Sequence, residues 1–449
     1  MRNRINIAKS ETRFFPPRRN TLARKLLSPV CGAIMRRLHQ IDDVTFAGLD
    51  QLNAIGPRDG VLICPNHSYT GDASVILKLS LLNLPKPLHF MAAEHVFARR
   101  KFVGWMVQRL GGFSVDREGC DRRAIRTATE LLADGKGLIV FPEGEIYHLN
   151  ERLTPLRDGV AFMAVSAQRE LAKSNAESRV WMVPAAIRYE LVNPEAVRRN
   201  IEASMAELER PMLMKPLTDQ PLHERILRLG EVLLTIQEKQ QLGRSYDDDD
   251  ERLATRLSRL TNAMLERLER AHFNGKTKSN EDVPVRVKLL RQHLIDKLCD
   301  ALPPLPPDER RDERASSSPV LAAGVNPGER PLAGPLSERA GTETSRDAVL
   351  AALEDVHRVL QYYSYPGDYL LSNPTLERMA ETVEKFQEDV TGEYTLPVGR
   401  RRARMTLGPP IDVQAQLASG GRSRAAIGEL TAKLEVAMSE LIGQNSAVR

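Results

Sequence analysis

The sequence predicts an α/β fold with a mostly parallel central sheet flanked by helices. Three observations carry that prediction. Short apolar runs recur over residues 44–190, amphipathic stretches lie between them, and strand-like and helix-like segments alternate. The runs are VTFAG at 44, VLICPN at 61, LHFMAA at 88, FSVD at 113, GLIVFPE at 137 and VWMVPAAIRYE at 180. The helical patterns fall near 72–83, 101–110, 121–133 and 158–171.

Ahead of this core, Ser28 and Pro29 read as an N-cap and first helical position, and Val30, Ile34 and Leu38 form an apolar stripe. Cys31 and Met35 widen the stripe, while Arg36 and Arg37 lie off it. Such a helix suits a bilayer interface or the outside of the domain's own sheet. After Glu190 the chain becomes helical and charged through about residue 300, including a long amphipathic helix with Leu253, Leu257, Leu260, Met264, Leu265 and Leu268 on one side. The preceding acidic run, Asp247 to Asp250, reads as a solvated first turn, although a divalent cation is the alternative. Residues 302–345 are rich in Pro, Ser, Gly and charge and read as a disordered linker. Helical patterns return at 346–363 and 375–389, RARMTLGPPIDV reads as a strand followed by a turn, and 423–443 as a closing helix.

Composition narrows the class. Of 449 residues, 42% are hydrophobic and 27% charged, which excludes collagen-like and wholly disordered chains. The net charge of +5 is unevenly placed. Residues 1–40 hold ten basic side chains, Arg2, Arg4, Lys9, Arg13, Arg18, Arg19, Arg24, Lys25, Arg36 and Arg37, against the single acid Glu11. This arm suits an anionic surface, lipid or nucleic acid. The four cysteines show no CxxC spacing, which fits a reducing compartment and offers no structural zinc site. No signal-peptide core and no run of about 20 apolar residues is present, so the expected location is the cytoplasmic face of a membrane, peripheral or interfacial.

Four segments carry chemistry. NHSYTGD at 66–72 follows the strand VLICPN and sets Asp72 five residues after His67; an imidazole takes a proton near neutral pH, and a carboxylate in reach fixes its tautomer. The carboxyl end of a buried strand is where open α/β sheets place their sites. In GGFSVDR, a glycine pair precedes a short strand leading to Arg117, whose guanidinium can clamp a phosphate or pair with Asp116 or Glu118. In FPEGE at 141–145, Pro142 and Gly144 enforce a turn. Glu143 there is an acceptor for substrate hydroxyls or for a basic partner, or else a structural carboxylate in a strand-ending turn. Pro184, within VWMVPAAIRYE, marks an edge, a bulge or a strand start.

Taken in this order, the four segments resemble the glycerophospholipid acyltransferase family, whose best-known members are the 1-acylglycerol-3-phosphate O-acyltransferases. The resemblance covers residues 25–195 and implies the glycerolphosphate acyltransferase fold. It implies His67 as general base toward an acceptor hydroxyl attacking an acyl thioester, Asp72 as its partner, and Arg117, Glu143 and Gly144 as binding the acceptor's phosphate and glycerol. Asn66, Gly112 and Pro184 are further candidates for substrate contact, Pro184 through a fourth motif linked to the acyl donor. No cofactor and no metal is implied; acyl-coenzyme A or acyl carrier protein is the co-substrate, and a lysophospholipid the acceptor. The chain departs from the pattern twice. The third motif continues Glu145, Ile146, Tyr147 where Thr-Arg-Ser is common, leaving Arg152 or Arg157 to supply the charge. The first motif has Tyr69 where Ser is common, with Ser68 beside it.

The family's closing strand, Gly-Pro-Ile type turn and helix are matched by LGPPIDV at 407–413 and the helix after it. The expected organisation is therefore a basic amphipathic membrane-docking segment at 1–43, a catalytic domain at 44–200, a helical insertion at 201–395 and the closing strand and helix at 396–449. No GxSxG elbow occurs, and NGKT at 274–277 lacks the P-loop's first glycine because Arg270 stands there. No nucleic-acid module follows the basic arm, so anionic lipid is the expected partner and nucleic acid is not.

Overall fold

The computed structural model describes residues 14–98, 101–115, 121–245, 252–300, 336–392, 395–419 and 423–447. In chain order the elements are α1 (Thr21–Leu38), β1 (Ile41–Ala47), β2 (Gly60–Pro65), α2 (Asp72–Leu81), β3 (Leu88–Ala93), α3 (Glu94–Ala98), α4 (Lys101–Arg109), β4 (Gly112–Val115), α5 (Arg122–Ala133), β5 (Gly137–Ile139), α6 (Gly159–Ser174) and β6 (Val180–Leu191). They continue with α7 (Pro194–Glu209), α8 (Leu222–Leu242), α9 (Leu253–His272), α10 (Val283–Asp300), α11 (Leu336–Tyr363), α12 (Tyr369–Ser372), α13 (Leu376–Thr391), β7 (Arg401–Leu407), β8 (Ile411–Asp412), α14 (Val413–Ser419) and α15 (Ser423–Ala447).

Strand β2 is buried along its whole length, and its side chains divide by period two between two apolar layers. Val61 and Ile63 enter one with Leu27, Met35, Val75 and Leu79 from α1 and α2. Leu62 and Cys64 enter the other with Ala128, Leu132, Val160, Ala164 and Leu434 from α5, α6 and α15. The sheet therefore has helices on both faces, as the alternating pattern predicts. Its order is β1-β7-β6-β2-β5-β3-β4, with β8 also paired to β6. β2 runs parallel to β5 and β6, β3 to β4 and β5, and β1 to β7, while β6 is antiparallel to β7 and β8. The chain leaves β2 toward β3 through α2 on one face and leaves β5 toward β6 through α6 on the other. The loops after β2 and β5 thus meet where the winding reverses, the crevice in which open α/β sheets hold ligands.

Residues 401–407 form β7 between β1 and β6, and α15 packs on β6 and α6. Two compact units emerge. One combines the sheet with α7, α8, α12, α13 and the C-terminal elements; the other comprises Ser258–Tyr363. In the second, Arg286 is buried and grips Glu269 through Nε and Nη2 at 2.8 and 2.9 Å.

Several expectations are corrected. Helix α1 starts at Thr21, not at Ser28, because the Asn20 side chain accepts from Ala23 N at 2.9 Å and caps it. Pro29 lies inside this helix on its exposed side. The face buried against α2 and β1 is Arg24, Leu27, Cys31 and Met35, with Val30 and Ile34 partly buried beside it and Leu38 exposed. Helix α11 begins at Leu336, within the stretch assigned to the linker, directly after the last proline of that stretch. Pro184 marks no edge: it lies inside the central strand β6, opposite Cys64. Its missing N–H falls at the short gap where β6 passes from β8, paired at Trp181 and Met182, to β7, paired from Ala185. The acidic run at 247–250 and most of the 302–345 linker lie outside the described residues.

Candidate active site

His67 follows β2 directly, and Asp72 opens α2, so one strand-turn-helix unit sets the pair. His67 Nδ1 is 2.9 Å from Asp72 Oδ2. The Asp72 side chain is fully buried, and that of His67 is 15% exposed. A carboxylate only accepts, so Nδ1 is the donor in this contact, and in the neutral imidazole Nε2 then keeps its lone pair. The imidazole stacks on Phe141 with ring centroids 4.0 Å apart, which covers one face of the ring. Tyr69 N also donates to Asp72 Oδ2, at 3.0 Å, and Tyr189 Oη donates to Oδ1 at 2.6 Å.

Glu143 lies beneath this turn rather than in the open crevice. It is 3% exposed; Oε1 accepts His67 N–H at 2.6 Å, and Oε2 accepts Thr154 N–H at 3.1 Å and the Thr154 hydroxyl. Burial pushes its carboxyl above the ordinary range against these hydrogen bonds. Through these bonds Glu143 ties the loop after β5 to the loop after β2. Gly144 has φ +75°, and a Cβ there would meet the Arg157 guanidinium at 2.8 Å. Arg157 therefore lies over the FPEG turn, whereas Arg152 is paired with Asp368 at 2.7 Å.

Asn66 is buried and pairs with β6, donating to Ile187 O at 3.1 Å and accepting from Ile187 N at 2.6 Å, so it pins the loop after β2 to the sheet. Gly112 opens β4, separated from β2 by β5 and β3, and is closely covered by Val107. Pro184 is buried in the sheet against Gly408. Arg117 lies outside the described residues. His67, Asp72, Glu143, Gly144 and Asn66 are thus brought together, and Gly112 is not.

Sequence reasoning missed Thr154, Phe141 and Tyr189. Tyr189 carried a readable signal: Val183, Ala185, Ile187 and Tyr189 share one face of β6 and enter the same apolar layer. A phenol ending such a buried stripe needs a partner.

The loop after FPEGE is tied to the segment before β7. Asn150 exchanges two hydrogen bonds of 2.9 Å with the Tyr189 backbone. Glu151 binds Arg188 at 2.7 Å and Arg378 of α13 at 2.9 Å. Glu381 of α13 accepts from Tyr369 Oη at 2.8 Å and Asn150 N at 3.3 Å, and burial raises its carboxyl to about 8.

A histidine with Nδ1 held by a buried carboxylate and Nε2 unclaimed can draw a proton from a hydroxyl at the mouth of the crevice. Residues 43–188 match the family model described as Acyltransferase. Over 89 residues the chain is 33% identical to the 1-acyl-sn-glycerol-3-phosphate acyltransferase of Bacillus subtilis (strain 168), covering 20% of this chain and 43% of that protein. The chain thus spans less than half the length of that curated relative. No solved structure matches it. Over residues 43–188 the chain is thus similar to acyltransferases, among them a 1-acyl-sn-glycerol-3-phosphate acyltransferase.

Proposed function

We propose that this protein transfers a fatty acyl group from an acyl thioester to a hydroxyl of a lysophospholipid, with 1-acylglycerol-3-phosphate as acceptor and phosphatidic acid as product. The observation that carries this reading is the His67–Asp72 contact of 2.9 Å at the winding reversal of the sheet. His67 Nε2 takes the proton as the acceptor oxygen attacks the thioester carbonyl. Asp72 stabilises the imidazolium that forms. Collapse of the tetrahedral intermediate breaks the C–S bond, and the imidazolium returns its proton to the departing thiolate. The products are an ester and a free thiol, with no acyl-enzyme and no cofactor.

Arg157, set against Gly144, is our candidate for the acceptor's phosphate in place of the arginine missing from the third motif. Acyl-coenzyme A and acyl carrier protein are both suitable donors. An amphiphilic acceptor calls for a lipid surface, and the cytoplasmic face of an anionic membrane fits the exposed features of α1 and α4. Leu22 and Leu26 are 67% and 68% exposed, Phe102 and Trp105 60% and 45%, and Arg18 and Lys25 lie on the same stretch of α1 and its approach. Backbone bonds of 3.0 Å from Arg18 N to Gln108 O and from Asn20 N to Arg109 O join the segment leading into α1 to the C-terminal end of α4. No described helix is long and apolar enough to cross a membrane.

The test is acceptor-dependent thiol release by purified protein with acyl-coenzyme A or acyl carrier protein donors, across lysophosphatidic acid, other lysophospholipids and glycerol-3-phosphate. Release greatest with lysophosphatidic acid supports the full reading. Preference for another acceptor keeps acyl transfer and rejects the substrate. No release with any pair, in folded protein bound to vesicles, rejects the enzyme in favour of a scaffold of the same fold.

A further inference from the structure

Asp72 uses its two oxygens for different tasks. Oδ2 meets His67 Nδ1 and Tyr69 N, and Oδ1 meets the Tyr189 hydroxyl at 2.6 Å. Tyr189 is itself immobilised. It is 3% exposed, its backbone exchanges two bonds with the Asn150 side chain, and its ring meets that of Tyr69 edge-on at 5.0 Å. The Tyr69 ring in turn lies under the Arg401 guanidinium of β7, 4.4 Å from the ring centroid, and Arg401 pairs with Glu384 of α13. Burial and the adjoining Asp72 charge hold the Tyr189 phenol well above its usual range, so it stays a donor.

A carboxylate gripped on one oxygen alone can rotate about its last bond and offer either oxygen to the imidazole. Gripped on both, it presents one oxygen along one direction. We propose that Tyr189 is a positioning residue of the His67–Asp72 pair, its hydroxyl holding Asp72 Oδ1 so that Oδ2 meets His67 Nδ1. The inference rests on the reading of His67 as catalytic base. Tyr189 lies just past the family match at 43–188; Asn150 within that match holds its backbone, and β7 pairs with β6 at Ala403 opposite it and carries Arg401 over Tyr69. The geometry of the base therefore depends on chain from the C-terminal part of this protein.

The experiment compares wild type, Tyr189→Phe, Asp72→Asn and the double variant by kinetics and by NMR titration of the His67 ring, with urea midpoints to establish folding. Loss of the donor leaves more charge on Asp72 Oδ2. In Tyr189→Phe the His67 midpoint should rise by about half a unit, and the acid limb of kcat/KM should move with it. The same change should lower kcat roughly tenfold with KM within about twofold. In the Asp72→Asn background Tyr189→Phe should change neither quantity further, because the coupling runs through Asp72. A folded Tyr189→Phe protein with an unmoved or lowered midpoint overturns the positioning role, as does an undiminished extra loss in the Asp72→Asn background. An inactive wild type whose His67 midpoint still rises in Tyr189→Phe removes the acyltransferase reading and keeps the positioning role.

Discussion

His67 owes its poise to neighbours that have no room for substrate. Phe141 covers one face of its ring, Asp72 holds Nδ1, and Glu143 holds its backbone N–H. Glu143→Ala leaves the buried N–H groups of His67 and Thr154 unpaired and should cost about 1–3 kcal/mol of stability. Its kinetic effect should fall on kcat, because the loop carrying His67 loosens. A selective rise in KM for the acceptor would instead place Glu143 on the substrate. Gly144→Ala forces a side chain into a left-handed backbone and onto Arg157, so it should damage both stability and activity, read by urea midpoint and thiol release. The His67–Asp72 pair was legible because both residues sit in one short strand-turn-helix unit, where spacing dictates contact. Thr154 meets Glu143 from 11 residues further along the chain, and Tyr189 reaches Asp72 from 117 residues away, a proximity that only the sheet creates.

At the scale of elements, β2, α2 and β5 followed from apolar runs and turn residues, and α1 did not begin where expected. Asn20 and Ser28 are both good caps, and the choice between them is made by packing: starting at Thr21 lets Leu27, Cys31 and Met35 reach the core as one stripe. Pro29 is then the local fault, tolerated because it faces solvent, where the carbonyl it leaves unpaired can bind water. Pro29→Ala should stabilise the protein by about 1–3 kcal/mol with activity unchanged, measured by urea unfolding. A destabilised variant would mean that the proline sets a bend the core needs. β6 shows the opposite case, in which Pro184 sits in mid-sheet because its neighbours change from β8 to β7 around that position. That β7 would enter between β1 and β6 is written in no local pattern. It follows from β6 being long enough, Val180–Leu191, to carry β2 along one side and both β8 and β7 along the other.

For the whole molecule, buried titratable groups outside the site set how stability depends on pH. Glu381 has its carboxyl raised from the ordinary 4.5 to about 8 by burial, so between these values the folded chain keeps a proton that the unfolded chain releases. Stability from this group is therefore full at the acid end, falls as pH rises through the window and levels off above about 8. His89 is lowered from 6.5 to about 4, chiefly by burial, and acts in the opposite sense below 6.5. Urea midpoints taken between pH 6.5 and 8.5 should decline in wild type, and Glu381→Gln should flatten that decline; an equal slope in both would assign the effect elsewhere.

The surface shared by α1 and α4 makes a second prediction at this scale. Replacing Phe102 and Trp105 by Ser should weaken sedimentation with anionic vesicles several-fold while leaving the urea midpoint nearly unchanged, since both side chains are exposed. Undiminished vesicle binding would remove these helices as the docking face.

The central claim is that His67 is the base of a thioester-dependent acyl transfer. Its most direct test is to incubate wild type and His67→Ala with labelled acyl thioester and 1-acylglycerol-3-phosphate and to measure labelled phosphatidic acid. The account predicts product from wild type and a loss of about a hundredfold or more in the folded variant. Equal product from both proteins would contradict it.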